Sequence, residues 1–169
     1  PAALAAIDTT LHERIAAAGP LGLDVASLDE RERAVLATFT DVRIAGGHAL
    51  PADATDELAD HPVLAAIRAG GTAPEEPTGV DRATLRELIR RGLLVERDGI
   101  VFHPDAIDTA ARTAAVLLAD HPDGITMSQL RDALGISRKY ALPLANELDA
   151  RGITRRRGDL RIGGPLLPG

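Results

Sequence analysis

The apolar positions of this chain switch between helical and strand-like spacing, and the switch recurs along the sequence. In the last third, apolar residues occupy positions i, i+3, i+4 and i+7: Ala141, Leu144, Ala145 and Leu148. This spacing predicts a helix that buries one face. An earlier stripe ends at the helix-breaking segment 121–124 and predicts another helix: Ile107, Ala111, Ala114, Ala115 and Leu118. Pro143 falls inside the later stripe, so that helix is either bent at its first turns or regular only from about Leu142.

Short alternating strands with a glycine-bearing turn follow the helical regions. The turns are Gly46-Gly47, Asp98-Gly99 and Gly158-Asp159, and the last two are typical of two-residue hairpins. They are about 50–60 residues apart, the length of a unit with three helices and a hairpin. The predicted fold class is therefore mainly α with small β-hairpins, arranged as three tandem winged-helix (helix-turn-helix plus wing) domains at about 1–50, 51–105 and 106–169.

Local signals support two helix starts and argue against a third. The pairs Ser27 with Glu30 and Thr126 with Gln129 have the spacing of a capping box, which predicts helices that begin there. In the second predicted domain, the Gly- and Pro-rich segment 70–79 occupies the place where a second helix would be expected. That helix is predicted to be short or absent, which makes the second domain loop-rich.

Composition excludes several classes of function. The chain lacks cysteine, so disulfides, thiolate nucleophiles and cysteine-based zinc sites are excluded. The five histidines are scattered, no phosphate-binding or nucleophile-elbow motif is present, and no apolar run approaches a membrane span. We therefore expect a non-catalytic, monomeric, cytoplasmic fragment without cofactor or metal. Because the chain starts with Pro1 rather than Met, we also expect it to be part of a longer polypeptide.

Charge is distributed unevenly. The chain has a net charge of −6, yet the segment 131–161 carries eight cations and four acids. Residues 1–107 carry ten cations and eighteen acids, whereas residues 106–169 carry nine and seven. Basic charge concentrated on a helix-turn-helix with a wing indicates contact with a nucleic acid.

Two groups of residues are candidates for that contact. Ser137, Arg138 and Lys139 open the last helix, where the helix dipole disfavours cations, so a phosphate bound at this helix end would explain them. A solvated turn explains them equally well. Arg155, Arg156, Arg157, Gly158 and Arg161 lie on the last hairpin, where binding is favoured over a charged, solubilising edge strand. A third stripe, formed by Arg82, Arg86 and Arg90 beside acids, is more typical of a solvated, salt-bridged face.

A family resemblance rests on motifs spread over about 35 residues of the third predicted domain. The motifs are Arg131-Asp132, Ser137–Leu144, Asp149, the segment 152–155 and the segment 157–161. They resemble the C-terminal winged-helix region of the bacterial selenocysteine-specific elongation factor SelB. That family joins a GTP-binding, tRNA-carrying body to four tandem winged helices, and this chain is similar to the second, third and fourth of them. The last winged helix in the family binds the apical loop of an mRNA hairpin, the SECIS element, which recodes UGA as selenocysteine.

The resemblance implies roles for individual residues. Ser137, Arg138 and Lys139 would form the helix-end half of an RNA-binding pocket. The wing half would comprise Arg155, Arg157, Gly158 and Arg161. Arg131 and Asp132 would brace the two halves by pairing, and Tyr140 would either stack on a base or, as we favour, pack in the core. The implied partners are an mRNA hairpin and, in the whole factor, the ribosome. A DNA-binding winged helix and a protein-interaction scaffold remain the alternatives.

Overall fold

The computed structural model describes the backbone of residues 2–169 and the side chains from residue 5 onward. Two compact units divide the chain, one up to His61 and one from Pro62 to Gly169. Both combine helices with small antiparallel sheets, so the predicted fold class is confirmed. Whether the chain folds as three separate domains stays a prediction.

The first unit contains two helices and a three-stranded sheet. Its elements are α1 (Ala2–Ala17), β1 (Leu23–Asp24), α2 (Glu30–Leu36), β2 (Val42–Ala45) and β3 (His48–Pro51), with short 3₁₀ turns at Gly19–Leu21 and Val25–Ser27. The sheet has the order β1-β3-β2. Buried aliphatic side chains from both helices, β3 and the residue after the second 3₁₀ turn form the core: Leu11, Ile15, Leu28, Val35, Leu36 and Ala49.

The start of α2 differs from the prediction by two residues. Asp29, not Ser27, is the N-cap, and its carboxylate accepts a hydrogen bond from the Glu32 amide at 2.8 Å. The Glu32 side chain accepts one from the Asp29 amide in return, which completes the capping box. Ser27 instead lies in a 3₁₀ turn capped by Asp24 and donates its hydroxyl to the Asp24 carbonyl. The prediction was wrong because two overlapping boxes exist, and this turn occupies the first.

The second unit begins with a reduced helical part and a hairpin. Its first elements are α3 (Pro62–Ala69), α4 (Arg82–Arg90), β4 (Val95–Arg97) and β5 (Ile100–Phe102). Residues 70–79 contain no helix, as predicted. Asp98 and Gly99 form the turn between the strands with φ of 51° and 79°, a left-handed conformation that suits aspartate and glycine.

The rest of the unit is a three-helix arrangement with a three-stranded sheet. Its elements are α5 (Pro104–Asp120), β6 (Ile125–Thr126), α6 (Met127–Leu134), α7 (Arg138–Ala150), β7 (Thr154–Arg157) and β8 (Leu160–Gly163), with sheet order β6-β8-β7. The capping box of Thr126 and Gln129 is confirmed. Pro143 lies inside α7, which runs without interruption from Arg138 to Ala150.

One hydrophobic core joins the hairpin β4–β5 to these last helices. The four residues of the predicted α7 stripe are each fully buried, and the stripe is confirmed. Phe102 of β5 is also fully buried among side chains of α5, α6 and α7, and Val95 and Ile100 pack against the same cluster. The middle hairpin is therefore packed into the core that supports α7.

Candidate nucleic-acid interface

The start of α7 presents open backbone amides and cations. Gly135 ends α6 in the left-handed conformation, and Ser137 has the extended backbone of an N-cap residue. Its hydroxyl makes no capping hydrogen bond, so the amides of Arg138 and Lys139 lack an acceptor within the described part of the chain, whereas the Tyr140 amide donates to the Ser137 carbonyl at 3.1 Å. Arg138 is exposed and has no ion pair among the described residues. Amides and a cation at a helix N-terminus are suited to an anion such as phosphate.

Lys139 and Tyr140 lie beside each other at the same helix end. The Lys139 ammonium is 5.2 Å from the centroid of the Tyr140 ring, and Tyr140 is half-buried against the core cluster. Lys139 also lines a small pocket with the acidic loop residues Glu75 and Glu76. Among the described residues, neither acid forms an ion pair with Lys139, so Arg138 and Lys139 are both left without an acidic partner there.

The hairpin β7–β8 displays three consecutive arginines with different surroundings. Arg155, Arg156 and Arg157 are all exposed. Arg156 donates to the Gly158 carbonyl at 3.1 Å, and Arg157 donates to the Asp123 carbonyl at 3.0 Å. Arg155 makes no hydrogen bond or ion pair within the described part of the chain. Arg155 and Arg157 share one face because side chains alternate along a strand, so these two guanidinium groups face the same solvent region.

Arg161 lies on the opposite, core-facing side of the hairpin. It is 6% exposed, and its guanidinium donates to Asp149 at 3.0 Å and to Asn146 at 3.1 Å, both on α7. It pairs across the sheet with Arg156 on one side and Ile125 on the other. The structure therefore places Arg161 inside the domain, apart from the exposed basic residues with which the sequence grouped it.

Arg131 pairs with its neighbour on α6. It makes an ion pair at 2.6 Å with its neighbour Asp132, and both side chains are substantially exposed. The two residues thus pair with each other, and their bracing role between helix end and wing stays a prediction. Arg131 stays on the surface of α6 as one half of a local ion pair.

Polar side chains on the C-terminal half of α7 were missed by the sequence reasoning. Glu147 is buried and accepts hydrogen bonds from Arg151 at 2.7 Å and from Arg97 of β4 at 2.8 Å. Burial raises the pKa of Glu147, but the hydrogen bonds from the two arginines outweigh it and leave the pKa below its usual value. Asn146 donates to Asp98 in the β4–β5 turn at 2.7 Å. The available signal was the row of polar residues flanking buried Leu148.

The arginine stripe on α4 has the salt-bridged character that its sequence indicated. Arg90 and Arg91 both donate to Glu87, a carboxylate only 7% exposed. The Arg90 guanidinium lowers the pKa of Glu87 to about 2, against the opposing effect of burial. Arg82 and Arg86 of the same stripe are exposed.

The described residues offer little for other kinds of site. Among them, no group of three or more His, Asp or Glu side chains is placed to hold a metal ion. None of the helices between residues 2 and 169 has the length and apolarity needed to cross a membrane.

Comparison with known proteins connects the basic domain to one family. Residues 117–162, which include α6, α7 and the β7–β8 hairpin, match the family "Elongation factor SelB, winged helix". This segment of the chain is therefore similar to a SelB-type winged helix. The resemblance to the C-terminal region of SelB is thereby confirmed. Among curated proteins, none matches this chain.

Two solved structures are similar to the chain. The crystal structure of a bacterial selenocysteine-specific elongation factor, EF-Sec, matches 95% of the chain with 16% identity and a TM-score of 0.63. This chain spans 29% of the length of that EF-Sec chain. The mRNA-binding domain of SelB from E. coli, solved in complex with SECIS RNA, matches 65% of the chain with 25% identity and a TM-score of 0.51. The match covers 99% of the E. coli domain.

Proposed function

We propose that this chain binds an mRNA hairpin of the SECIS type and belongs to the C-terminal part of a selenocysteine-specific translation elongation factor. By holding the hairpin, it recruits the factor to recode UGA as selenocysteine. The similarity to an mRNA-binding domain solved with SECIS RNA carries the proposal. The exposed cations at the start of α7 and on β7 supply the physical means.

The contact surface that we assign, the helix-end and wing surface, has two parts. The helix end contributes Ser137, Arg138 and Lys139, with its open amides directed at a phosphate. The wing contributes a second group of exposed residues: Arg155, Arg156, Arg157 and Gly158. Arginine binds phosphate through two parallel hydrogen bonds and stacks on bases, so the wing supplies both charge and base contact.

RNA hairpins offer what this surface requires. Sequence-specific RNA recognition uses unpaired bases in loops, because the deep, narrow groove of an RNA duplex excludes side chains. A helix end with a short wing suits one or two extruded bases and the adjacent phosphates. We therefore expect the chain to act as a monomer, and contacts to the ribosome and GTP hydrolysis to belong to the whole factor.

A competition experiment tests the proposal. The full chain is titrated with a labelled hairpin that carries unpaired apical bases, in competition with the same stem closed by a stable tight loop, a DNA duplex and tRNA. We expect the unpaired loop to be preferred by at least about tenfold, or 1.4 kcal/mol. Equal affinity for all four competitors would make this a nonspecific basic domain. Preference for the DNA duplex would favour a DNA-binding winged helix instead.

A further inference from the structure

A continuous line of hydrogen bonds joins the turn of the middle hairpin to the basic wing. Asp98 in the β4–β5 turn accepts from the Asn146 side chain on α7 at 2.7 Å. Asn146 accepts from Arg161 on β8 at 3.1 Å, and Arg161 donates to Asp149 at 3.0 Å. Asp149 in turn accepts from the Thr154 hydroxyl at the start of β7. Both strands of the wing are thus bonded to this line.

The chemistry of the line fixes the orientation of Asn146. A carboxylate only accepts hydrogen bonds and a guanidinium only donates them. Between Asp98 and Arg161, the amide must turn its nitrogen to the carboxylate and its oxygen to the guanidinium. The reverse orientation would set donor against donor and acceptor against acceptor. The amide therefore links the two hairpins through one exposed hydrogen bond to Asp98 and one part-buried hydrogen bond from Arg161.

The far end of the line is itself held firmly. The hairpin β4–β5 contributes Phe102, fully buried, to the core that supports α7, and Val95 and Ile100 pack against that core. Arg97, next to Asp98, adds an ion pair at 2.7 Å with buried Glu147. Asp98 consequently approaches α7 from a fixed position.

We infer that Asp98, Asn146 and Arg161 are positioning residues that set the place of the wing arginines for RNA. The effect that we expect on RNA binding rests on the proposed function. This positioning role also assigns a task to the middle hairpin, whose one arginine, Arg97, is ion-paired with Glu147. The wing strand β7 begins at Thr154, and Arg155 follows directly. A change in these hydrogen bonds would therefore shift β7 and the guanidinium groups that we assign to phosphate contact.

Two substitutions at position 98 isolate the effect. Asp98→Gly and Asp98→Asn remove the same negative charge, and both residue types accept the left-handed backbone found there, with φ of 51°. Asparagine still offers a carbonyl oxygen to Asn146, whereas glycine offers nothing. Loss of an acid alone should strengthen RNA binding. We expect Asp98→Asn to bind the hairpin at least as tightly as the wild type and Asp98→Gly to bind about 3- to 10-fold more weakly than Asp98→Asn.

A measurement without RNA separates this inference from the proposed function. In the free full-length chain, amide hydrogen exchange of β7 and β8 should be faster in Asp98→Gly than in Asp98→Asn. Asn146→Ala, which breaks the line at its centre, should give the same acceleration. Equal exchange rates in all variants would overturn the inference whatever the RNA result.

The binding data have their own decisive outcomes. The active fraction of each variant is measured by stoichiometric titration, so that partial unfolding is not counted as weak binding. If the wild type shows no preference for a hairpin, the proposed function fails while the exchange result still stands. If the wild type binds but Asp98→Gly equals or exceeds Asp98→Asn in affinity, the positioning role is refuted.

Discussion

Arg155 and Arg161 stand six positions apart in one hairpin and should respond oppositely to the same substitution. Arg155 is exposed and has no partner among the described residues, whereas Arg161 is 6% exposed and bonded to Asp149 and Asn146. Replacing each by alanine removes one positive charge. Only the substitution of Arg161 also removes the partner of a half-buried carboxylate.

The expected magnitudes follow from these surroundings. Breaking a buried ion pair from one side costs about 3–5 kcal/mol. The Asp149 side chain is 23% exposed, so water reaches it, and we expect Arg161→Ala to lower the free energy of unfolding by about 2–3 kcal/mol. Arg155→Ala should change it by less than about 0.5 kcal/mol.

Binding should show the complementary pattern. Each phosphate contact contributes about 0.7–0.9 to the slope of log affinity against log salt concentration. When the salt concentration rises from about 50 to 200 mM, the affinity of both proteins should fall, and the factor should be about threefold smaller for Arg155→Ala than for the wild type. Arg112→Ala, at an exposed arginine of α5, is the control for a charge lost outside the assigned surface and should keep the wild-type slope.

Urea unfolding and filter binding at several salt concentrations measure the two quantities. The reasoning is refuted if Arg161→Ala unfolds at the wild-type urea concentration and flattens the salt slope as Arg155→Ala does. Arg161 would then face the RNA, as its position in the sequence suggested, and the hydrogen bonds to α7 would contribute little.

Four further substitutions test how the fold is stabilised. Glu87→Gln should destabilise the protein by about 1–3 kcal/mol above pH 4.5, where the carboxylate is ionised. Because the folded-state pKa of about 2 lies below the ordinary 4.5, this difference should shrink as pH falls below 4.5 and vanish only below about pH 2. Urea unfolding at a series of pH values measures it. Phe102→Ala should cost about 3–5 kcal/mol in urea unfolding, since its ring is fully buried in the core under α7. In thermal unfolding, Asp29→Ala should lower the free energy of unfolding by about 1 kcal/mol and Ser27→Ala by less than about 0.5 kcal/mol. A larger loss for Ser27→Ala than for Asp29→Ala would show that Ser27 is the N-cap.

Local patterns in the sequence predicted most of the helices and hairpins. The stripe on α7 was sufficient because the buried face of a helix recurs every 3.6 residues, and all four predicted positions are buried. Turns such as Asp98-Gly99 were recognised because few residue types adopt left-handed backbone. The start of α2 was misplaced because Ser27 and Asp29 offer overlapping capping boxes, and a local turn decided between them.

The candidate site was less predictable, because it depends on contacts distant in sequence. Nothing near Asn146 or Glu147 indicates that a hairpin almost 50 residues earlier would supply Asp98 and Arg97. Arg161 was grouped with the exposed arginines because charge was counted along the hairpin, although successive side chains of a strand point to opposite faces of the sheet. Its strand partner Ile125 is buried, and a residue paired directly across a sheet faces the same side.

Ion pairing leaves the net charge of the segment 131–161 unchanged but decides which of its cations carry that charge. Of the four acids in the segment 131–161, three are paired with arginines of the same segment: Asp132 with Arg131, Glu147 with Arg151, and Asp149 with Arg161. The remaining charges are five cations, Arg138, Lys139, Arg155, Arg156 and Arg157, against Asp159 alone. The arginines in ion pairs thus stabilise the domain, and the remaining cations are available to a ligand. On a protein with net charge −6, these five cations concentrate the attraction for phosphate in the segment 131–161, which favours a hairpin approaching that segment over the acidic remainder.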